Sequence, residues 1–182
     1  LQPKVLGMSF LGFSAGLPFL LVFSTLSAWL RDTGVTLSVI GFFSWVGITY
    51  SIKVIWAPII DRLPLPFLTA LLGKRRSWIL LAQVGIAAGL MTLAELEPQS
   101  QIGMIAATAV WVAFCSATQD IVIDAYRIEI IAPEYQAAMA AMYVFGYRVA
   151  LLVSGAGAFY IAEYIGWNAA YSAMALCMFV GI

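Results

Sequence analysis

Five apolar runs of membrane-spanning length, and the start of a sixth, divide the chain, with short polar or charged junctions between them. A helix that crosses a bilayer needs about 20 predominantly apolar residues. On that criterion the pattern predicts spans over 4–30, 37–60, 78–94, 102–123, 136–162 and 168–182, the last cut short. The sequence starts without a Met and stops inside an apolar run, so a piece of a longer chain is expected. Small residues punctuate three of the runs. The first holds Gly12-x-x-x-Gly16 followed by Pro18, a spacing that lets a neighbouring backbone approach closely and a residue that removes one ladder hydrogen bond. Tight packing and a kink at Pro18 are both expected there. The fourth carries Ala109, Ala113 and Ala117 on one face, and the fifth carries Gly146, Ala150, Ser154, Ala158 and Ala162 as a seam.

Charge at the junctions is unequal. Lys4, Arg62, Lys74, Arg75, Arg76 and Arg127 fall at one set of ends, while Arg31 beside Asp32, then Glu95, Glu97 and Glu163, fall at the other. The positive-inside rule then predicts a cytoplasmic N-terminus, with the second-to-third and fourth-to-fifth connections on the same side.

Composition turns this pattern into a class. The chain is 63% hydrophobic and 10% charged, where soluble domains carry about 25% charged residues. An all-α, polytopic membrane protein is predicted, with the lipid bilayer as its first partner. Formal net charge is zero, so no basic field suggests nucleic acid. The absence of histidine removes His-based metal sites and His general bases, and no metal site is expected. Cys115 and Cys177 stand alone in apolar runs and read as small buried side chains. The first run is too long for the apolar core of a signal peptide.

The candidate chemistry lies in charges placed inside these runs. The segment from Ser116 to Glu129 carries Asp120, Asp124 and Arg127, which share one face of a helix at i, i+4 and i+7. Intramembrane charge is costly, so it usually faces a bundle interior or a watery cavity and marks a pathway. Lys53 lies seven residues before the expected end of the second span, roughly 10 Å deep at 1.5 Å per residue. It can snorkel to the interface or pair with Asp120, which enters from the same side. Arg148 sits near the middle of the fifth run, rotated about 200° from the small-residue seam on either side of it. Facing a cavity, its planar guanidinium suits a carboxylate or phosphate. The alternative is an internal pair with Asp120 or Asp124.

The run Ala113-Phe-Cys-Ser-Ala-Thr-Gln-Asp-Ile-Val-Ile-Asp-Ala-Tyr126 closely resembles the corresponding stretch of the bacterial AmpG muropeptide permeases. Further resemblance lies in Gly146-Tyr-Arg-Val-Ala-Leu-Leu-Val-Ser-Gly155, in Gly166-Trp-Asn, and in the junction Trp56-Ala-Pro, Asp61-Arg62, Pro66-Phe67, Gly73-Lys-Arg-Arg76 and Trp78. That junction also resembles the signature loop of the major facilitator superfamily, with extra residues after Phe67. The acetyl-CoA transporters share parts of the pattern. The resemblance implies a twelve-helix major facilitator fold, of which residues 1–182 would be the N-terminal six-helix half, lacking the C-terminal half. It implies a bacterial inner-membrane permease, not an enzyme, that imports anhydro-muropeptides for wall recycling, driven by a proton gradient and needing no cofactor.

On that reading Asp120 and Asp124 carry the coupling proton, because burial disfavours a charged carboxylate and a nearby cation favours it. Arg148 and Lys53 meet the glycopeptide substrate's carboxylates, with Gln119 and Tyr126 as further substrate or ion-pair contacts. Asp61, Arg62, Gly73, Lys74, Arg75 and Arg76 form a cytoplasmic gating loop. Transport of acetyl-CoA or another large anion is the alternative. An intramembrane aspartyl protease is a distant one, since Asp120 and Asp124 share one helix and no G-x-G-D sequence is present.

Overall fold

In lipid every backbone polar group must be satisfied within the protein, so long apolar runs fold as helices. The computed structural model describes residues 3–181, and no strand forms among them. Five helical spans are long and apolar enough to cross a membrane: Pro3–Asp32, Leu37–Ile55, Lys74–Glu95, Ile102–Ile130 and Pro133–Tyr164. The sixth predicted span begins as α11 (Trp167–Cys177) and continues as a 3₁₀ turn, Met178–Gly181. The chain is all-α and polytopic.

Several boundaries differ from the sequence expectation, each for a local reason. The first span is α1 (Pro3–Val22) and α2 (Ser24–Asp32). Pro18 stays inside α1, and the interruption falls at Phe23, whose φ of −113° and ψ of −95° leave helical space. The second span is not one helix. α3 (Leu37–Phe42) and α4 (Val46–Ser51) are joined by 3₁₀ turns, and α5 (Ala57–Arg62) follows. Lys53 therefore lies in the 3₁₀ turn Ile52–Ile55, where the rise is about 2.0 Å per residue instead of 1.5 Å. The connection to the third span contains the short α6 (Leu68–Leu72).

The third span, α7, begins at Lys74, four residues before the predicted start, so the basic run is its first turn. The fourth, α8 (Ile102–Ile130), runs seven residues past the predicted end and keeps Asp124, Arg127 and Glu129 helical. The fifth is α9 (Gln136–Leu152), a π turn at Val153–Gly157, and α10 (Ala158–Tyr164).

The GxxxG stretch of α1 packs directly on α9. A Cβ on Gly16 would stand 2.7 Å from the Tyr147 carbonyl oxygen, Gly12 meets the Tyr143 carbonyl more closely still, and Gly146 meets that of Ser9 in return. Gly146, Ala150, Ser154 and Ala158 are all buried, so the predicted seam is the face that α9 and α10 turn inward. The two irregular points of these spans also meet. The Thr25 hydroxyl, just past the break, donates to the Ser154 carbonyl in the π turn at 3.0 Å, and both residues are fully buried.

Apolar side chains form two clusters. One centres on Leu17, Leu21, Trp29, Ile86, Leu90, Ile105 and Tyr171, and the other on Val5, Met8, Ile79, Val122, Ile123 and Met139. The first, third, fourth and sixth spans supply most of this core. The second and fifth leave far more surface uncovered, with 11% and 22% of their apolar windows buried against about half for the others.

Candidate functional site

The charged stripe of α8 looks toward the uncovered second span. Lys53 Nζ stands 3.6 Å from Asp120 Oδ2, with side chains 32% and 22% exposed. Of the two readings of Lys53, the pair forms. Helical direction places the carboxylate: Asp120 continues the face of α8 that carries Ala109 and Ala113, eleven and seven residues on, and Lys53 reaches it from the 3₁₀ turn Ile52–Ile55. The second carboxylate oxygen, Asp120 Oδ1, is buried and makes no hydrogen bond, and the Tyr50 hydroxyl is in the same condition. Tyr50, Tyr143 and Tyr147 all lie within electrostatic reach of Asp120. Beside the pair, Trp56 Nε1 donates to Thr118 Oγ1 at 3.1 Å.

Asp124 does not share this environment. Its side chain is 59% exposed and pairs with Arg127 one turn on, at 3.5 Å. The two aspartates thus have separate cations. Arg148 joins neither: it is exposed on the uncovered side of α9, and among the described residues it forms no ion pair. The internal-pair alternative for Arg148 is not what this conformation contains.

Gln119 and Tyr126 lie elsewhere. Gln119 is fully buried, and its amide nitrogen donates to Ser14 Oγ at 2.8 Å. Gln83 Nε2 donates to the same hydroxyl at 3.0 Å and to the Gly181 carbonyl at 3.0 Å. Ser14 Oγ itself donates to the Leu11 carbonyl, so its one donor and two lone pairs are all used. This junction holds the first, third, fourth and sixth spans and does not open on the uncovered face. Tyr126 follows Gln119 on the same face of α8 two turns on, where its hydroxyl accepts from Arg76 Nη2 at 3.5 Å.

The basic junction is a second cluster. Arg75 Nη1 reaches Asp61 Oδ1 at 2.6 Å, while its Nε and Nη2 reach Glu129 Oε1 at 3.1 and 2.6 Å. Lys74 Nζ donates to the Asp61 carbonyl. Gly73, at φ +80°, supplies the left-handed turn that starts α7. Cations in a first helical turn oppose the helix dipole, and the two carboxylates offset that. Asp61 therefore pairs with Arg75 and not with its neighbour Arg62, which is exposed and has no acidic partner among the described residues.

The family model described as acetyl-coenzyme A transporter 1 matches residues 6–162, which include Lys53, the whole stripe of α8 and Arg148. The chain belongs to that family. Among curated relatives, the anhydromuropeptide permease of Escherichia coli K12 is 42% identical over 175 residues, covering 96% of this chain and 35% of the relative. Putative transporter AmpG 4 of Rickettsia conorii is 36% identical over 172 residues, 93% of this chain and 41% of the relative. An uncharacterized protein of Haemophilus influenzae is 37% identical over 179 residues, 98% of this chain and 41% of its own length. The chain thus spans about two-fifths of the length of these relatives.

Two features of this acetyl-coenzyme A transporter family chain escaped the sequence pattern. Glu129 was visible as a charge, but its bidentate contact with Arg75 joins residues 54 apart. Ser14 and Gln83 were single polar residues in apolar runs, and their isolation there was the available signal.

Proposed function

We propose that this chain is the N-terminal six-helix half of a twelve-helix, proton-coupled transporter that imports anhydro-muropeptides across the bacterial inner membrane, with its N-terminus in the cytoplasm. The observation that carries the reading is the Lys53–Asp120 pair on the face left uncovered by the second and fifth spans. A carboxylate there, with one oxygen on a cation and the other buried without a partner, gains or loses a proton as its surroundings open and close. Asp120 is the principal proton carrier, and Asp124 with Arg127 is a more exposed second station. Arg148, uncommitted on the same side, is the anchor for a substrate carboxylate. The proton gradient is the only driving cofactor, and no bond of the substrate is made or broken. The substrate class rests on the 42% identity to a relative named anhydromuropeptide permease.

The family description favours a second reading, in which the transported anion is acetyl-coenzyme A. Both are separated by uptake in proteoliposomes holding the intact protein, with labelled anhydro-muropeptide or labelled acetyl-coenzyme A, with and without an inward proton gradient. Gradient-dependent muropeptide uptake is expected, and Asp120→Asn should abolish the dependence. Uptake of acetyl-coenzyme A alone would replace the substrate, and muropeptide uptake indifferent to the gradient would remove the coupling role of Asp120.

A further inference from the structure

The connection between the second and third spans has a composition that a water-exposed loop does not need. Residues 63–72 read Leu-Pro-Leu-Pro-Phe-Leu-Thr-Ala-Leu-Leu, with no charge in ten positions, while Arg62 precedes them and Lys74, Arg75 and Arg76 follow one residue later. By contrast, 96–101 reads Leu-Glu-Pro-Gln-Ser-Gln, and the much shorter 131–135 still carries Glu134.

The local backbone is ordered and aims these side chains outward. Phe67 adopts φ +64° and ψ −53°, and the Leu68 N–H closes on the Pro66 carbonyl at 2.8 Å, which makes a γ-turn. That conformation is rare and strained for a residue with a side chain. It is held by a reciprocal clasp: the Thr69 N–H donates to the Leu65 carbonyl at 3.0 Å, and the Leu65 N–H donates to Thr69 Oγ1 at 2.8 Å. The result exposes Phe67 by 88% and Leu71 by 81%, with Leu63 and Leu72 also exposed. A strained turn that presents a phenyl ring to water has no advantage of its own.

We propose that residues 63–72 are an in-plane membrane anchor, with Phe67 and Leu71 seated in the lipid at the headgroup–acyl boundary of the leaflet on the basic side. Two observations select lipid as the occupant. The segment connects two membrane-crossing elements, following Leu37–Ile55 through α5 and leading through Gly73 into Lys74–Glu95, and Trp78 ties it to the start of the latter: its indole N–H donates to the Leu63 carbonyl at 2.9 Å. Tryptophan collects at that interface. Charge is complementary as well, because Arg62 and Arg76 flank the apolar stretch with no acidic partner among the described residues, and basic residues beside a buried apolar face attract anionic headgroups.

The test uses the intact protein in nanodiscs containing phosphatidylglycerol. Spin labels at Phe67→Cys and Leu71→Cys, in a background with Cys115, Cys177 and every further cysteine of the intact protein replaced by Ala, are compared with a label at Glu134→Cys. Collision with dissolved oxygen should exceed collision with a water-soluble nickel chelate several-fold at 67 and 71, and not at 134. Labels at 67 and 71 that behave like 134 would place the segment in water and overturn the proposal. Labels shielded from both reagents would mean that protein covers it, which overturns it equally. Should the cysteine-free background fail to fold, the unaltered protein is photolabelled from a diazirine-bearing phosphatidylglycerol. Adducts on the 63–72 peptide are expected. Their absence while Phe145 and Leu152 are labelled would refute the anchor.

Discussion

Replacing Gly146 by Ala tests whether the α1–α9 contact is as tight as the structure makes it. The added Cβ would lie 2.7 Å from the Ser9 carbonyl carbon, 2.9 Å from the Phe13 nitrogen, and nearer again to the Ser9 carbonyl oxygen. Comfortable separations for such atoms are about 3.5–4.0 Å. All three obstructing atoms are main chain, so no rotamer change relieves them and α1 must move away. Overpacking of this kind costs about 1–3 kcal/mol, and the better helix propensity of Ala returns about 1 kcal/mol. Because the obstruction is backbone, the upper part of the range applies, and a net loss of about 2 kcal/mol is expected. Gly7 and Gly103 are the controls: a Cβ at either meets nothing within 4 Å, so Ala there should stabilise by up to about 1 kcal/mol. The assay is thermal unfolding of the purified intact protein in detergent, followed by tryptophan fluorescence. A Gly146→Ala midpoint at or above the parent's, moving with the controls, would refute close backbone packing of these spans.

Two further changes probe the interior charges and the polar junction. Lys53→Met and Asp120→Asn should each cost about 1–3 kcal/mol, between the values for exposed and buried pairs, and the double variant should cost clearly less than their sum; additive unfolding energies would mean that the two groups do not interact. Ser14→Ala removes the acceptor of two buried amide groups and should cost about 1–3 kcal/mol. Adding Gln119→Leu should recover part of that loss, and no recovery would show that the junction is not held by these bonds.

Features set by one stretch of chain were legible in the sequence. A span is recognisable because roughly 20 apolar residues must be contiguous, and the small-residue seam of α9 and α10 because its four-residue spacing survives in any helix. Asp120 and Lys53 could be matched because both enter from the same side at similar depth. Features set by meetings of distant stretches were not legible. Asp61 pairs with Arg75 and not with the adjacent Arg62, and Arg75 takes Glu129 as well, only once α5, α7 and α8 converge. The break at Phe23 carries no breaker residue, whereas the π turn holds Gly155 and Gly157, and the Thr25 hydroxyl joins the two irregular points through the Ser154 carbonyl. Pro18 was the visible breaker, and the chain passes through it as helix.

The placement of polar groups separates a frame from a looser element. On α1, α7 and α8 alike, the polar residue of the junction falls where the two apolar clusters meet: Ser14 beside Ala15 of one and Leu17 of the other, Gln83 between Ile79 and Ile86, Gln119 between Cys115 and Val122. Those three spans are therefore locked at mid-depth by neutral hydrogen bonds that no change of protonation disturbs. The second span has no share in that lock. It is built from short α and 3₁₀ pieces, and interrupted ladders of this kind mark segments that move. Among the described residues, the Lys53–Asp120 pair is the one ionic link from Leu37–Ile55 to the frame. Neutralising Asp120 removes that link and leaves the Trp56–Thr118 hydrogen bond beside it, so the charge state of one carboxylate acts on the least regular span and leaves the frame unchanged.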